Sequence, residues 1–170
     1  MKAEVFVLKM IDCSNTSLSP VVLVEDDEND LVLMNRAFSR ARVEHPLLVA
    51  HNGEEAIALL KSDTDTGEGK TLLPSLLITD LKMPKLNGFE LLIWLQTQPQ
   101  FHQIPKLILS SSVLEEDLQK SLQLGATAYL VKPHHFGELV QLVRKWKQRY
   151  LGQGDDCVIR PCRSRVRSRF

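Results

Sequence analysis

Apolar residues along this chain follow two rhythms. Five short runs are continuous and rich in branched side chains: Val21-Val22-Leu23-Val24, Leu47-Leu48-Val49-Ala50, Ser75 to Thr79, Lys106-Leu107-Ile108-Leu109 and Ala128-Tyr129-Leu130-Val131. Runs of this length without alternation predict strands buried on both faces. Between them the apolar positions recur at helical spacing. Leu31, Met34, Phe38 and Ala41 share one face, and Ala56, Ile57 and Leu60 another. Phe89 to Leu95 predicts a third helix, Leu114, Leu118 and Leu122 a fourth, and Phe136, Leu139, Val140, Val143, Trp146 and Tyr150 a fifth. Pro46, Asn52-Gly53, Asn87-Gly88, Pro99 with Pro105, and Gly125 as a helix C-cap punctuate the pattern.

Strand and helix therefore alternate five times. This predicts an α/β fold, a (βα)5 doubly wound five-stranded parallel sheet of flavodoxin-like order 2-1-3-4-5, with right-handed crossovers. In such a sheet every strand ends on the same edge, and ligands bind in the crevice outside those ends. Four runs end in residues that carry chemistry: Glu25-Asp26-Asp27, Asp80, Ser110-Ser111-Ser112, and Lys132-Pro133. Glu25, Asp26, Asp80, Ser110 and Lys132 are thus expected to converge.

Composition narrows the class. The 170 residues suit one domain with short extensions, and 44% hydrophobic with 25% charged residues is ordinary for a globular protein. A formal net charge of zero offers no electrostatic argument for nucleic acid or membrane. Cys13, Cys157 and Cys162 lack the spacing of a zinc site or a disulfide framework, so a reduced, cytoplasmic setting is expected. The expected organisation is an N-terminal extension over 1–19, a folded domain over 20–151, and a basic tail over 152–170 without fixed structure. In that tail Arg160, Arg163, Arg165, Arg167 and Arg169 face only Asp155 and Asp156.

An aspartate can accept a phosphoryl group when geometry and charge are arranged for it. Such transfer rests on positioning and on neutralising the phosphoryl oxygens. Mg²⁺ does this when held by one or two carboxylates with waters and phosphate oxygens, and Glu25 and Asp26 supply that acidic side. Lys132 would neutralise a second oxygen as a point charge, and Ser110 would hydrogen-bond a third.

The segments Val24 to Asp27, Asp80-Leu81-Lys82-Met83-Pro84 with Asn87-Gly88, Ser110, and Lys132-Pro133 resemble the signature of two-component response-regulator receiver domains, over about Pro20 to Tyr150. Glu25 to Asp30, Leu81 to Gly88, and Gln103-Ile104-Pro105 are further similar to single-domain, phytochrome-associated response regulators. The resemblance implies that Asp80 is phosphorylated by a sensor histidine kinase, phytochrome-like in the narrower match. It implies Mg²⁺ held by Glu25, Asp26, Asp80 and the backbone carbonyl of Lys82. It implies that Ser110 and Tyr129 act as the switch pair and that Lys132 precedes a cis proline. The chain would then be a phosphoacceptor with self-catalysed transfer and dephosphorylation rather than an enzyme. Its output would be a homodimer, a downstream protein or a histidine phosphotransfer protein, reached through the face of the fourth helix, fifth strand and fifth helix. Tyr129, Trp146, Arg144 and Arg149 are the interface candidates there.

Two features depart from the family pattern. His134-His135 replaces the usual apolar residue after Lys-Pro, and Lys82 and Ser112 occupy places where the family tunes phosphoryl lifetime. The alternative is a pseudo-receiver, an interaction module of the same fold that never carries phosphate. A phosphatase of the aspartyl-nucleophile class would need Asp-x-Asp, whereas Leu81-Lys82 follows Asp80. Neither GxxxxGK[ST] nor GxGxxG is present for a nucleotide. Nucleic acid is not an expected partner, since only the arginines of the tail argue for it.

Overall fold

The computed structural model describes residues 18–61 and 72–152. Residues 1–17 of the expected extension, the polar loop 62–71 and residues 153–170 of the expected tail lie outside the described residues.

Five strands alternate with five helices: β1 (Val21–Val24), α1 (Glu28–Arg40), β2 (Leu47–Ala50), α2 (Gly53–Lys61), β3 (Leu76–Thr79), α3 (Gly88–Gln96), β4 (Lys106–Ser110), α4 (Glu115–Gln123), β5 (Ala128–Val131) and α5 (Phe136–Tyr150). The sheet order is β2-β1-β3-β4-β5. All pairings are parallel; Val21 lies opposite Leu47 on one side and Leu76 on the other. Chain order reverses between β1 and β3, so a crevice opens outside their carboxyl ends.

The inner strands β1, β3 and β4 are buried throughout, which explains their unbroken apolar sequences. Strands β2 and β5 are only part-buried, not buried on both faces as their runs predict, because they are the sheet's edges. Successive residues still point to opposite faces. Val21, Leu23, Leu76 and Ile78 meet Met34, Phe38, Leu139, Val143 and Trp146 of α1 and α5. Val22, Val24 and Leu77 meet Ala56, Leu60, Leu91 and Leu95 of α2 and α3.

Helix starts fix the loops that carry the crevice residues. Asp27 caps α1, accepting from the Asn29 and Asp30 N–H groups at 2.7 and 3.2 Å. Asn87 and Glu90 form a reciprocal capping box at the start of α3. Gly88 follows, and its N–H donates to the Leu81 carbonyl at 3.0 Å. A Cβ at Gly88 would stand 2.2 Å from the Asp80 carbonyl oxygen and 2.9 Å from the Leu81 Cα. Only glycine fits where α3 begins this close to the end of β3. Gly125, at φ +84°, closes α4 as the pattern predicts.

Three further expectations need correction. Trp146 is not an interface candidate: at 4% exposure it is core, in phase with Leu139 and Val143 on the inner stripe of α5. The leucines of the fourth helix form no inward stripe either. Leu114 and Leu122 are 58% and 43% exposed and Leu118 is part-buried, while the buried residue of α4 is Ser121. No cis peptide bond occurs among the described residues, so the Lys132–Pro133 bond is trans.

Candidate functional site

The carboxyl ends of β1, β3 and β5 deliver Glu25, Asp80 and Lys132 to one place. The Lys132 Nζ lies 2.7 Å from Glu25 Oε2 and 2.9 Å from Asp80 Oδ2. A third carboxylate joins them: Asp30 Oδ2, from the first turn of α1, is 2.6 Å from the same Nζ. Glu25 is 4% and Asp80 6% exposed, so two acids of this cluster are buried. Such groups are tolerated inside a fold only when paired.

The two oxygens of Asp80 have different surroundings. Oδ1 accepts from the Leu81 N–H, with the Lys82 N–H at 3.4 Å, while Oδ2 faces Lys132. The carboxylate is thereby held with one oxygen turned to the backbone and the other to the crevice. The Asp80 carbonyl in turn accepts from the Thr79 hydroxyl at 2.8 Å.

Charge follows burial. Desolvation pushes Glu25 up to about 7, against the pull of the Lys132 hydrogen bond and charge. Burial alone would lower Lys132. The hydrogen bonds it donates to Asp30, Glu25 and Asp80 together outweigh this and hold the ammonium above its ordinary range. At Asp27 the Asp30 and Asn29 N–H groups hold the carboxyl below the usual range, as expected of a capping anion.

Glu25, Asp26 and Asp80 each present an oxygen, and the three oxygens lie within 4.8 Å of one another. Asp26 is exposed while the other two are buried, so the group opens to solvent on one side. Three converging carboxylate oxygens with room for water match the donor set of a hard divalent cation. Asp27 does not join them, since its side chain is committed to the helix start. Lys82 lies in the loop after β3, where its carbonyl was expected to contribute.

Ser110 and Tyr129 form a second group, joined through Ser112. Ser110 ends β4 and is fully buried, and its Oγ accepts a long 3.4 Å bond from the Ser112 N–H. The Tyr129 hydroxyl donates to the Ser112 carbonyl at 3.0 Å. The Ser112 hydroxyl donates to Asp117 in the first turn of α4. Burial raises the Tyr129 hydroxyl above its ordinary range. The loop between β4 and α4 is therefore pinned at both ends.

Sequence reasoning missed Asp30. The signal was available: with Asp27 as the cap, Asp30 falls in the first turn of α1, at the same end of the sheet as the strand termini. A carboxylate in a first helical turn is so common a complement to the helix dipole that nothing marked it out.

A family model described as the response regulator receiver domain matches residues 21–144. The response regulator Rcp1 of Synechocystis is 28% identical over 124 residues, which is 73% of this chain and 83% of Rcp1. The crystal structure of the Mn(2+)-bound form of Rcp1 is similar at a TM-score of 0.68 and 26% identity, covering 81% of this chain and 97% of that one. The phosphorylated cyanobacterial phytochrome response regulator RcpA reaches a TM-score of 0.70 at 28% identity over 81% of this chain and 96% of its own. The bacteriophytochrome response regulator RtBRR reaches 0.64 at 34% identity over 85% and 84%. The family match takes in every strand of the sheet and every strand-end cluster, and the chain therefore belongs to the response regulator receiver domains of two-component signalling.

Proposed function

We propose that Asp80 accepts a phosphoryl group from a sensor histidine kinase, in a cytoplasmic setting. The observation that supports this most is the crevice itself. A buried aspartate turns one oxygen outward between a three-carboxylate cation site and a fixed ammonium. Mg²⁺ held by Glu25, Asp26, Asp80 and the Lys82 carbonyl would neutralise charge on the phosphoryl oxygens. The descriptions of Rcp1 as Mn(2+)-bound and of RcpA as phosphorylated lend this reading support.

In the transfer, Asp80 Oδ2 forms the new O–P bond as the P–N bond to the donor imidazole breaks. The electron pair stays on the imidazole nitrogen, which takes a proton from solvent. Lys132 is already aimed at Oδ2 and would follow the charge onto a phosphoryl oxygen. Residues of the receiver supply this positioning themselves, so a small donor such as acetyl phosphate should serve in place of the kinase. The chain would then be a self-catalysed phosphoacceptor rather than an enzyme with a diffusible substrate.

The added charge, about −1.5 to −2, would be read by Ser110. Its hydroxyl would turn from the Ser112 N–H to a phosphoryl oxygen, drawing in the loop that also holds the Tyr129 hydroxyl. The surface changed by this is that of α4, β5 and α5, where Leu122 and Val131 stand exposed. We take this face as the output surface, docking a second copy, a downstream protein or a histidine phosphotransfer protein. The upstream kinase is taken to be phytochrome-like, by similarity to RcpA and RtBRR.

The direct test weighs intact protein before and after acetyl phosphate and Mg²⁺. Wild type should gain one phosphoryl group, and only with Mg²⁺, while Asp80→Asn gains none. Equal uptake by both would rule the assignment out. The switch is tested separately by light scattering with beryllofluoride as the phosphoryl mimic. Ser110→Ala should bind the mimic yet lose most of the wild-type change in association, since a ligand shifts a conformational equilibrium only by its differential affinity. A response equal to wild type would mean that the signal passes through another residue.

A further inference from the structure

An ammonium carries three N–H donors and no acceptor. Lys132 has three carboxylate oxygens within 2.9 Å of its Nζ, so every donor is spent. Glu25 and Asp80 belong to the cation group, but Asp30 does not. Asp30 also differs in setting: its side chain is 39% exposed, against 5% for Glu25 and 7% for Asp80. Yet its contact, at 2.6 Å, is the shortest of the three. Its place is fixed by the turn that carries it, because the Asp30 N–H is itself bonded to the Asp27 cap at 3.2 Å.

Resting on the phosphoacceptor reading above, we propose that Asp30 is a positioning residue that steers Lys132 and offsets its charge, so that the site holds a phosphoryl group less tightly than Lys132 unopposed would allow. When Oδ2 of Asp80 becomes an ester oxygen it loses its charge, and the donor that faced it passes to a phosphoryl oxygen. The Glu25 and Asp30 bonds need not break. Asp30 therefore remains on the ammonium beside an incoming dianion, cancelling part of its field and adding direct repulsion. A carboxylate this exposed acts through solvent, so its effect is moderate and sensitive to salt. A carboxylate that merely complements the α1 dipole would leave the affinity of the site unchanged.

Asp30→Asn tests this, since it keeps an oxygen able to accept from Lys132 and removes only the charge. At saturating Mg²⁺ and low ionic strength, beryllofluoride should bind the variant about threefold to tenfold more tightly than wild type. Near 1 M salt, where the Debye length falls to about 3 Å, the gain should shrink to less than about twofold. A second reading needs neither metal nor mimic. Competitive acylation of the metal-free proteins, followed by peptide mass analysis, should label Lys132 several-fold faster in Asp30→Asn and leave the other lysines unchanged. Unchanged or weaker beryllofluoride binding by the variant overturns the proposal, as does a gain that persists undiminished at high salt. Equal labelling of Lys132 in the two proteins also overturns it. Failure of wild type itself to bind beryllofluoride with Mg²⁺ is a different result, and it overturns the phosphoacceptor reading together with this one.

Discussion

Lys132→Met should destabilise the metal-free protein by about 2–4 kcal/mol and slow phosphoryl uptake by roughly a hundredfold. Methionine matches the length of the lysine stem, so packing is nearly preserved and the loss is one of charge. Glu25 and Asp80 are both almost fully buried, and each has Lys132 as its cationic partner. Removing one member of a buried ion pair leaves the other uncompensated, which is the costly way to break it. The cost has a ceiling because Glu25 can take up a proton instead.

That ceiling makes the penalty depend on pH. In the folded protein Glu25 titrates at about 7, above the ordinary 4.5. A carboxyl raised in this way favours the folded state below its unfolded value and loses that advantage as pH climbs through the folded one. Without the ammonium, only the Asp27 N–H still opposes desolvation at Glu25, and its titration rises further. The Lys132→Met penalty should therefore be smaller near about pH 5 than near about pH 8. Urea unfolding with EDTA present at the two pH values checks this. An equal penalty at both would show that Glu25 contributes nothing to the penalty.

Gly88→Ala should cost about 3 kcal/mol, or roughly 10 °C in Tm, and should disable the site as well. The added Cβ would stand 2.2 Å from the Asp80 carbonyl oxygen, far inside contact distance. The atoms it meets are backbone atoms of Asp80 and Leu81, so no side chain can swing aside to accommodate it. Either the start of α3 must move or the end of β3 must. The second displaces the Leu81 and Lys82 N–H groups that hold Asp80 Oδ1. Thermal unfolding and Mg²⁺ titration should both register the change. A variant with wild-type Tm and wild-type Mg²⁺ affinity would mean that this junction is far more pliant than its spacing implies.

How much of this was legible in the chain depends on where each residue sits. Strands β1, β3 and β4 read clearly because burial on both faces leaves no alternation to confuse them with anything else. The residues that follow β1, β3 and β5 could then be placed on one edge by topology alone, which is how Glu25, Asp80 and Lys132 were brought together across more than a hundred positions. Asp30 could be placed at the right end of the sheet but not aimed at Lys132, because that needs the rotation of α1 about its own axis, which is set by Met34, Ala37 and Phe38 packing on the sheet.

Trp146 was misjudged for a different reason. Neighbouring Arg144 and Arg149 suggested an interface, whereas its phase in the α5 stripe was the better guide. Lys106 was named only as the first residue of a strand. It is buried, and its Nζ donates to the carbonyls of Phe101 and Ile104 at 2.8 and 2.9 Å. Backbone acceptors supplied by an irregular turn leave no trace in residue pattern, so a lysine that serves them cannot be told from an exposed one.

Every role proposed for the crevice depends on where the phosphoryl group goes. Borohydride reduces an aspartyl phosphate to homoserine, and peptide mass analysis of protein treated with acetyl phosphate and Mg²⁺ then reads the position directly. Homoserine at position 80, and at no other aspartate, is the predicted result. A phosphoryl group found at Asp26, at Asp27 or on a histidine, with position 80 still aspartate, would contradict it.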